Sequence, residues 1–446
     1  MNTKVFVKVT CILTVIWFLF NLLFFWMHAN VDSYFYFAIG EYFRTGNYPF
    51  QTPFIYTKPT TISPPLYGLF FTLTHGLLRA DILLHAVQLS FLAATSYLLY
   101  KTLRLHISRR MATLISCLFA LFPINIIYAS NVMTENPAQF VVMLIIYLLV
   151  SGNASLAVLV ASIGTLLKYN LGVYVTFALF FFLKKPMRPA YPVLGIAILI
   201  GWIFINHAIT GVWGLYDTRG TQLYNQFVAQ TKLLPPKDHP AVIRMRSLLP
   251  PTTDIAVPYW DIQQQLSQKL GNEWVAVDRV LFQVAWGSVT AHPIAYLLHS
   301  LQNFARIHYD HVPHWRNIGS IGVIGLTGTD QPFCGNLGSV TTCMPVIMTP
   351  WSFAIWNRYV QVEMWLFEAL AAPVFYLLLL PALVMCLFWG NRRSRLVAVA
   401  YVVGTVPIAF TIHPDPRYIV PFYPLIVIIV VYGFSIILRA RSLITS

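Results

Sequence analysis

Apolar residues gather in ten runs, at 5–27, 82–102, 111–128, 136–151, 154–168, 170–183, 190–208, 366–388, 396–412 and 418–438. A transmembrane helix needs about 20 predominantly apolar residues. Several middle runs are shorter, which a helix tolerates when it is packed inside a bundle or borders a cavity. The pattern predicts an all-α polytopic membrane protein of about ten transmembrane helices, with the first run retained as a span because no small-residue cleavage site follows it.

The links between the runs are of two kinds. One kind is basic and free of acids: Lys4 and Lys8; Lys101, Arg104, Arg109 and Arg110; Lys184, Lys185 and Arg188; Arg392, Arg393 and Arg395; Arg439 and Arg441. The other kind holds the acids, from Asp32, Glu41, Asp81 and Glu135 through the stretch between Asp217 and Asp330 to Glu363 and Asp415. Lys and Arg mark the cytoplasmic side of a membrane protein. With the amino terminus inside, simple alternation puts every basic link in the cytosol and the acids outside, with Glu368 at the edge of a span.

Two exterior segments are long. Residues 28–81 hold two amphipathic stretches, 34–43 and 66–78, suited to lying along a membrane surface. Residues 209–365 form the one soluble-like region, of mixed helix and loop, with helices expected at 260–270 and 292–308. The chain thus divides into an N-terminal transmembrane module (1–208, including the exterior loop 28–81), an exterior loop domain (209–365) and a C-terminal transmembrane module (366–446).

Composition agrees: 57% of residues are hydrophobic and 10% charged, against about 25% charged in a soluble domain. The net charge of +14 resembles a nucleic-acid signal until it is mapped. The cytoplasmic links alone carry fourteen basic residues, so topology explains it and no nucleic-acid partner is expected. Cys334 and Cys343 lie in the exterior loop and pair if that compartment oxidises. No cysteine spacing suits zinc.

Chemistry-bearing residues recur at the exterior face. Asp32, just past the first run, reads as a helix N-cap or as a general base, and one residue can do both. Lys58 precedes Ser63-Pro64-Pro65-Leu66-Tyr67, which launches a helix with proline in its first turn; alone, Lys58 reads more readily as a solvated interfacial lysine than as a site residue. The turn 131–137 (NVMTENP) brings Thr134 and Glu135 to the bilayer surface, as a cap for the next span or as part of a site. Lys168-Tyr169-Asn170 interrupts two apolar runs, and a lysine within a membrane is a functional candidate because a central charge costs about 2.5–3.5 kcal/mol on insertion scales. His413 opens a Pro-x-Pro turn ending in Arg417 and Tyr418, which reads equally as an interfacial anchor and as phosphate binding by Arg417. Carboxylates beside cations at a membrane surface suit a lipid-linked phosphate electrophile attacked by a hydroxyl or amine.

The order of these motifs resembles the GT-C superfamily of polyprenyl-phosphate-sugar-dependent glycosyltransferases, nearest to the protein O-mannosyltransferase and lipid A aminoarabinose transferase families. Asp32 matches the acid that opens their first exterior loop, although Ser33 stands where a second acid is usual. Pro64-Pro65-Leu66-Tyr67 matches their Pro-Pro-Leu-Tyr element and Thr134-Glu135 their Thr-Glu element. Arg417-Tyr418 with Pro421 and Pro424 matches the closing Arg-Tyr-x-x-Pro-x-x-Pro, and Pro293 with Tyr296 a Pro-x-x-Tyr helix.

The resemblance implies a GT-C-like fold and an inverting transfer of a sugar from a polyprenyl-phosphate carrier to a glycan, lipid or protein acceptor. It implies a bacterial inner membrane, with the active site facing the periplasm. Asp32 and Glu135 are then the catalytic acids. Lys58, Tyr67, Lys168, Asn170, His413, Arg417 and Tyr418 bind substrate. No cofactor is expected, and without a carboxylate cage the reaction is read as metal-independent. The competing readings are a lipid-linked oligosaccharide ligase or polymerase and a secondary transporter or flippase. A transporter favours inverted repeats and mid-membrane charges, and neither is evident here.

The topology makes a direct prediction. A cysteine at Ser394 is protected from a membrane-impermeant thiol reagent added outside, and one at Gly328 is labelled; the reverse pattern overturns the map.

Overall fold

The computed structural model describes residues 3–24, 31–46, 61, 63–77, 81–130, 133–184, 188–309, 336–337, 340–341, 374–412 and 416–444. Lys58, His413, Cys334 and Cys343 lie outside these residues, as do the side chains of Asp32 and Arg417. The described residues are helical apart from turns and a short antiparallel ladder that pairs Asn336 with Thr341 and Leu337 with Val340.

Four helices are long and apolar enough to cross a membrane: Leu83–Leu103, Ala190–Thr210, Arg392–Thr411 and Tyr418–Leu438. On that length and composition the chain is a multi-pass membrane protein. The remaining predicted runs are also helical wherever they are described: the first is the 22-residue helix Thr3–Phe24, and the others are shorter. The run at 111–128 is two helices, Arg109–Ala120 and Pro123–Ser130. Pro123 cannot donate a helical N–H, and it disfavours helical backbone at the residue before it. Residues 374–388 begin as a π-helical stretch, Val374–Leu379, and continue as Leu380–Phe388.

The helix Glu135–Val150 lies at the centre. Its sequence is apolar all round after the first turn, and nearly all of it is buried. Ala154–Leu167 packs between it and Ala190–Thr210. The latter has an outward face with Val193, Leu194 and Phe204 exposed, as expected of a helix whose outer neighbour is lipid. Gly40 and Gly68 set the crossing of the helices Val31–Thr45 and Pro65–Phe71. A Cβ on Gly68 would collide with the carbonyl oxygen of Tyr36 and come within 2.6 Å of the Ile39 Cγ2. Pro65 starts the second of these helices, as its sequence predicts.

The two ends of the bundle differ in chemistry. At one end, Tyr432 donates to the Thr102 carbonyl (3.0 Å) and packs its ring 4.1 Å from His106, which meets Asn391 at 3.5 Å. The basic links around 104–110 and 391–395 therefore share an end. Tyr36, Thr134, Glu135, Lys168 and Tyr418 come together elsewhere, beside the turns that the charge pattern assigns to the exterior.

A second core, separate from the bundle's, forms from Tyr224, Val242, Met245, Leu266, Val277 and Leu281. It is built by the helices Pro240–Leu248, Tyr259–Lys269 and Trp274–Ala291 with the turn at Tyr224–Val228. Asp278 ties this unit together. Its carboxylate accepts from the backbone N–H of Gly220 (3.0 Å) and Thr221 (2.7 Å) and from the Thr221 hydroxyl (2.9 Å), which caps the helix Arg219–Leu223.

Because the Gly40–Gly68 crossing leaves no room for a methyl group, Gly68→Ala destabilises the folded chain by about 1–3 kcal/mol. Gly201, with nothing within 4 Å of an added Cβ, accepts alanine without loss. Unfolding temperatures of the two variants in detergent check this; equal values refute the packing argument.

Candidate functional site

The site starts from a helix break. Ala154–Leu167 ends at Lys168, whose backbone is extended (φ −154°, ψ 113°) before a 3-10 turn, Tyr169–Gly172. The break turns Lys168 into the bundle, where it is buried. Its Nζ lies 2.8 Å from Glu135 Oε1 and donates to the Thr134 hydroxyl at 3.2 Å. Glu135 stands in the first turn of the central helix, where the helix dipole favours a negative charge. The ring of Tyr418, in the 3-10 segment Pro416–Phe422, lies 5.6 Å from Nζ.

Aromatic hydroxyls extend this pair. The Tyr36 hydroxyl and Thr134 Oγ1 are 3.2 Å apart, and the Tyr36 ring meets Tyr67 edge-on at 4.9 Å. Gln88 donates to the Tyr67 hydroxyl at 3.1 Å, and Asn136 donates to the Gln88 carbonyl at 2.5 Å. Gln139, one turn further along the helix, donates to Asn125 (2.8 Å) and to the Val420 carbonyl (2.9 Å). The four sequence elements around residues 67, 134, 168 and 418 thus form one buried polar cluster.

A second limb leaves from Tyr169. Its hydroxyl reaches the carbonyls of Thr61 (3.3 Å) and Ser63 (3.2 Å), and its ring stacks on Tyr216 at 5.1 Å. The Thr61 N–H donates to Asp217 Oδ2 at 3.1 Å, and the Thr61 hydroxyl donates to Asn206 Oδ1 at 2.5 Å. Asp217 is buried, and its other oxygen has no hydrogen-bond partner among the described residues. Burial pushes its carboxyl up to about 7, against the opposing pull of the Thr61 N–H. Glu135 Oε2 and both amide atoms of Asn170 are likewise buried without a described partner. A buried polar atom left unpaired costs about 1–3 kcal/mol, and three such groups lie on neighbouring segments here.

Of the nine residues singled out by sequence, Tyr67, Glu135, Lys168 and Tyr418 converge, and Asn170 occupies the same 3-10 turn as Tyr169. Asp32 lies in the first turn of a helix that begins at Val31, two residues past the cap position. Lys58 and His413 fall outside the described residues, and for Arg417 only the backbone is described. Lys168 is not a free cation: Glu135 neutralises it. Sequence reasoning missed Tyr36, Tyr169 and Asp217. Tyr36 stands one helical turn after Asp32, and Asp217 is the first acid after the run 190–208, the same signal that drew attention to Asp32. Among the described residues no three His, Cys, Asp or Glu side chains are placed to share a metal. No family model matches the chain, and neither curated proteins nor solved structures show a match to it.

Asp217 gives the site a pH dependence. Its folded carboxyl binds a proton more tightly than the unfolded one, whose value is 3.8. Its contribution is complete below pH 3.8 and disappears as pH rises through about 7. Asp217→Asn keeps the acceptor for Thr61 and removes the charge. The fall in unfolding temperature between pH 5 and pH 8 is therefore shallower in this variant than in the parent; parallel curves refute the assignment.

Proposed function

We propose that this chain is an integral membrane glycosyltransferase of the GT-C type, moving a sugar from a polyprenyl-phosphate carrier to an acceptor on the exterior face with inversion. One observation carries the reading. Four short motifs, spread from residue 67 to residue 418, meet in one buried polar cluster around Lys168 and Glu135. Four unrelated helix caps would have no reason to meet. In this reading about ten helices span the bilayer, and the cluster faces away from the cytosol.

The reaction forms a bond from the acceptor oxygen or nitrogen to the anomeric carbon and breaks the bond from that carbon to the phosphate oxygen. The electron pair leaves with the carrier phosphate, which goes from one negative charge to two. That gain needs cationic donors more than a general acid. Lys58 and Arg417 fill this role beside Lys168. Glu135 and Thr134 hold Lys168 by two of its three N–H groups, which leaves the third for a phosphate oxygen in exchange for the face of Tyr418. Glu135 is then a positioning residue. Asp32 takes the acceptor's proton, the step that makes it the catalytic base. Asn170 and Tyr67 supply neutral hydrogen bonds to the sugar, while His413 and Tyr418 border the carrier.

Two variants separate binding from chemistry. Lys168→Ala weakens binding of undecaprenyl phosphate, measured by native mass spectrometry on the purified chain, by about 10²-fold, as expected for loss of a charge-assisted contact. Asp32→Asn leaves that binding intact and slows sugar transfer from an added polyprenyl-phosphate-sugar donor by about 10²–10⁴-fold. Unchanged affinity in folded Lys168→Ala removes Lys168 from the site, and undiminished transfer in Asp32→Asn removes Asp32 as base.

A further inference from the structure

The helix Pro293–Tyr309 belongs by sequence to the exterior segment 209–365, yet its contacts are those of a membrane helix. The Tyr296 hydroxyl donates to the Phe410 carbonyl at 2.5 Å. Three turns later, His308 bonds the Tyr401 hydroxyl and stacks on Phe375 at 4.4 Å. Both partners of the first and last contact lie on Arg392–Thr411, a helix long and apolar enough to cross the membrane. Moving from 296 to 308 therefore means moving from 410 back to 401, and the two helices run antiparallel.

Depth follows from this register. Arg392–Thr411 starts with Arg392, Arg393 and Arg395, which the charge pattern puts in the cytosol, so Phe410 lies at its exterior end. Tyr401 is the tenth of its 20 residues. The nine residues between them rise about 13–14 Å, close to half of a hydrocarbon core about 30 Å thick. The end of Pro293–Tyr309 thus sits near the middle of the bilayer.

The helix is also inverted in polarity. Ser300 and Asn303 are fully buried, and His299 is buried with its Nε2 2.8 Å from the Gln226 carbonyl. Gln226 donates in turn to Ser300 and to the Ala409 carbonyl, both at 3.2 Å. The apolar residues point outward: Ile294, Leu297, Leu298 and Leu301 are 73%, 47%, 62% and 54% exposed. Their i, i+3, i+4, i+7 spacing makes one continuous stripe. A water-facing helix would have the opposite arrangement. Ile307 and Phe304 join the core of the membrane bundle, not that of the exterior unit. Arg306 shares the helix, and since Cα–Cβ bonds tilt toward the helix N-terminus, it is directed back toward the exterior surface.

We infer that Pro293–Tyr309 is a membrane-embedded helix that enters from the exterior and reaches about the bilayer midplane, with the stripe Ile294, Leu297, Leu298 and Leu301 against lipid acyl chains. The occupant is lipid because the stripe continues the outer surface of a bundle that is itself in lipid: on the neighbouring apolar helix, Leu377 is as exposed as Ile294. The exterior unit is then anchored through its own last helix. The inference does not depend on the reaction proposed above.

Photo-cross-linking of the full chain tests it. Benzoylphenylalanine replaces Leu298 or, in a second variant, Leu301; both side chains face outward, so neither substitution disturbs the core. Each variant is reconstituted in phosphatidylethanolamine–phosphatidylglycerol vesicles and irradiated, and its intact mass is measured. The same group at Phe204, on the exposed face of Ala190–Thr210, serves as the lipid reference, and at Gln268 as the aqueous one. We expect a phospholipid adduct at Leu298 and Leu301 within about two-fold of Phe204 and at least ten-fold above Gln268. Yields equal to those at Gln268 would mean that the stripe faces water, and an adduct of doubled chain mass would mean that a second copy covers it; either overturns the proposal.

Discussion

The arrangement of this protein turns on one buried ion pair. Lys168 and Glu135 stand 2.8 Å apart in a bundle whose other side chains are mostly apolar. Removing a carboxylate or ammonium from water is expensive, and the attraction between the two repays it only when further hydrogen bonds satisfy both ions. Thr134 supplies one to the lysine, and the face of Tyr418 supplies a weaker cationic contact. Losing either partner would leave an isolated buried charge, at about 3–5 kcal/mol. The pair therefore fixes the meeting point of the central helix, the broken helix before Lys168 and the 3-10 segment before the last span. Tyr36 and Tyr67 build on that point.

The pair also explains why Lys168 interrupts an apolar run. A lysine free to snorkel would lie at the end of a span, with its charge in water. Here the helix stops, the backbone extends for one residue, and the side chain turns inward. That geometry places Tyr169 on the opposite side of the same turn, against Thr61 and Ser63. The segment 168–169 is thus a hinge between two polar networks. One is anchored on Glu135 and the other on Asp217, each with a carboxylate oxygen to spare.

Much of this was legible in the sequence, and the division has a physical basis. Apolar runs were readable because a bilayer enforces helix and hydrophobicity over a fixed length. The start at Pro65 was readable because proline chemistry is local. What could not be read depends on pairing across distance. Nothing local in NVMTENP says that Glu135 will meet a lysine 33 residues later, and a basic residue near a predicted phosphate looks free until its partner is seen. Asp217 carried the same local cue as Asp32 but stood at the border of a region read as soluble. The helix expected at 292–308 is present as Pro293–Tyr309, but its sequence alone does not say what its polar residues face. Only the contacts of Tyr296 and His308 reveal that those polar residues face protein.

These details join into one mechanical path. Asp217 holds the Thr61 backbone just ahead of the Pro-Pro-Leu-Tyr helix, and the carbonyl of the same residue accepts from Trp274 Nε1 at 2.9 Å. Trp274 opens the helix Trp274–Ala291 of the second core. Gln226, in the same unit, grips the span Arg392–Thr411 through the Ala409 carbonyl. The unit around this second core is therefore fastened to the bundle at two places, one through Asp217 and one through Gln226. A movement of that unit would be transmitted through Asp217 to Thr61, and through the Thr61 and Ser63 carbonyls to Tyr169, next to Lys168. The carboxylate that holds Thr61 is also the one that burial pushes up to about 7, so this path between the two units is itself sensitive to pH.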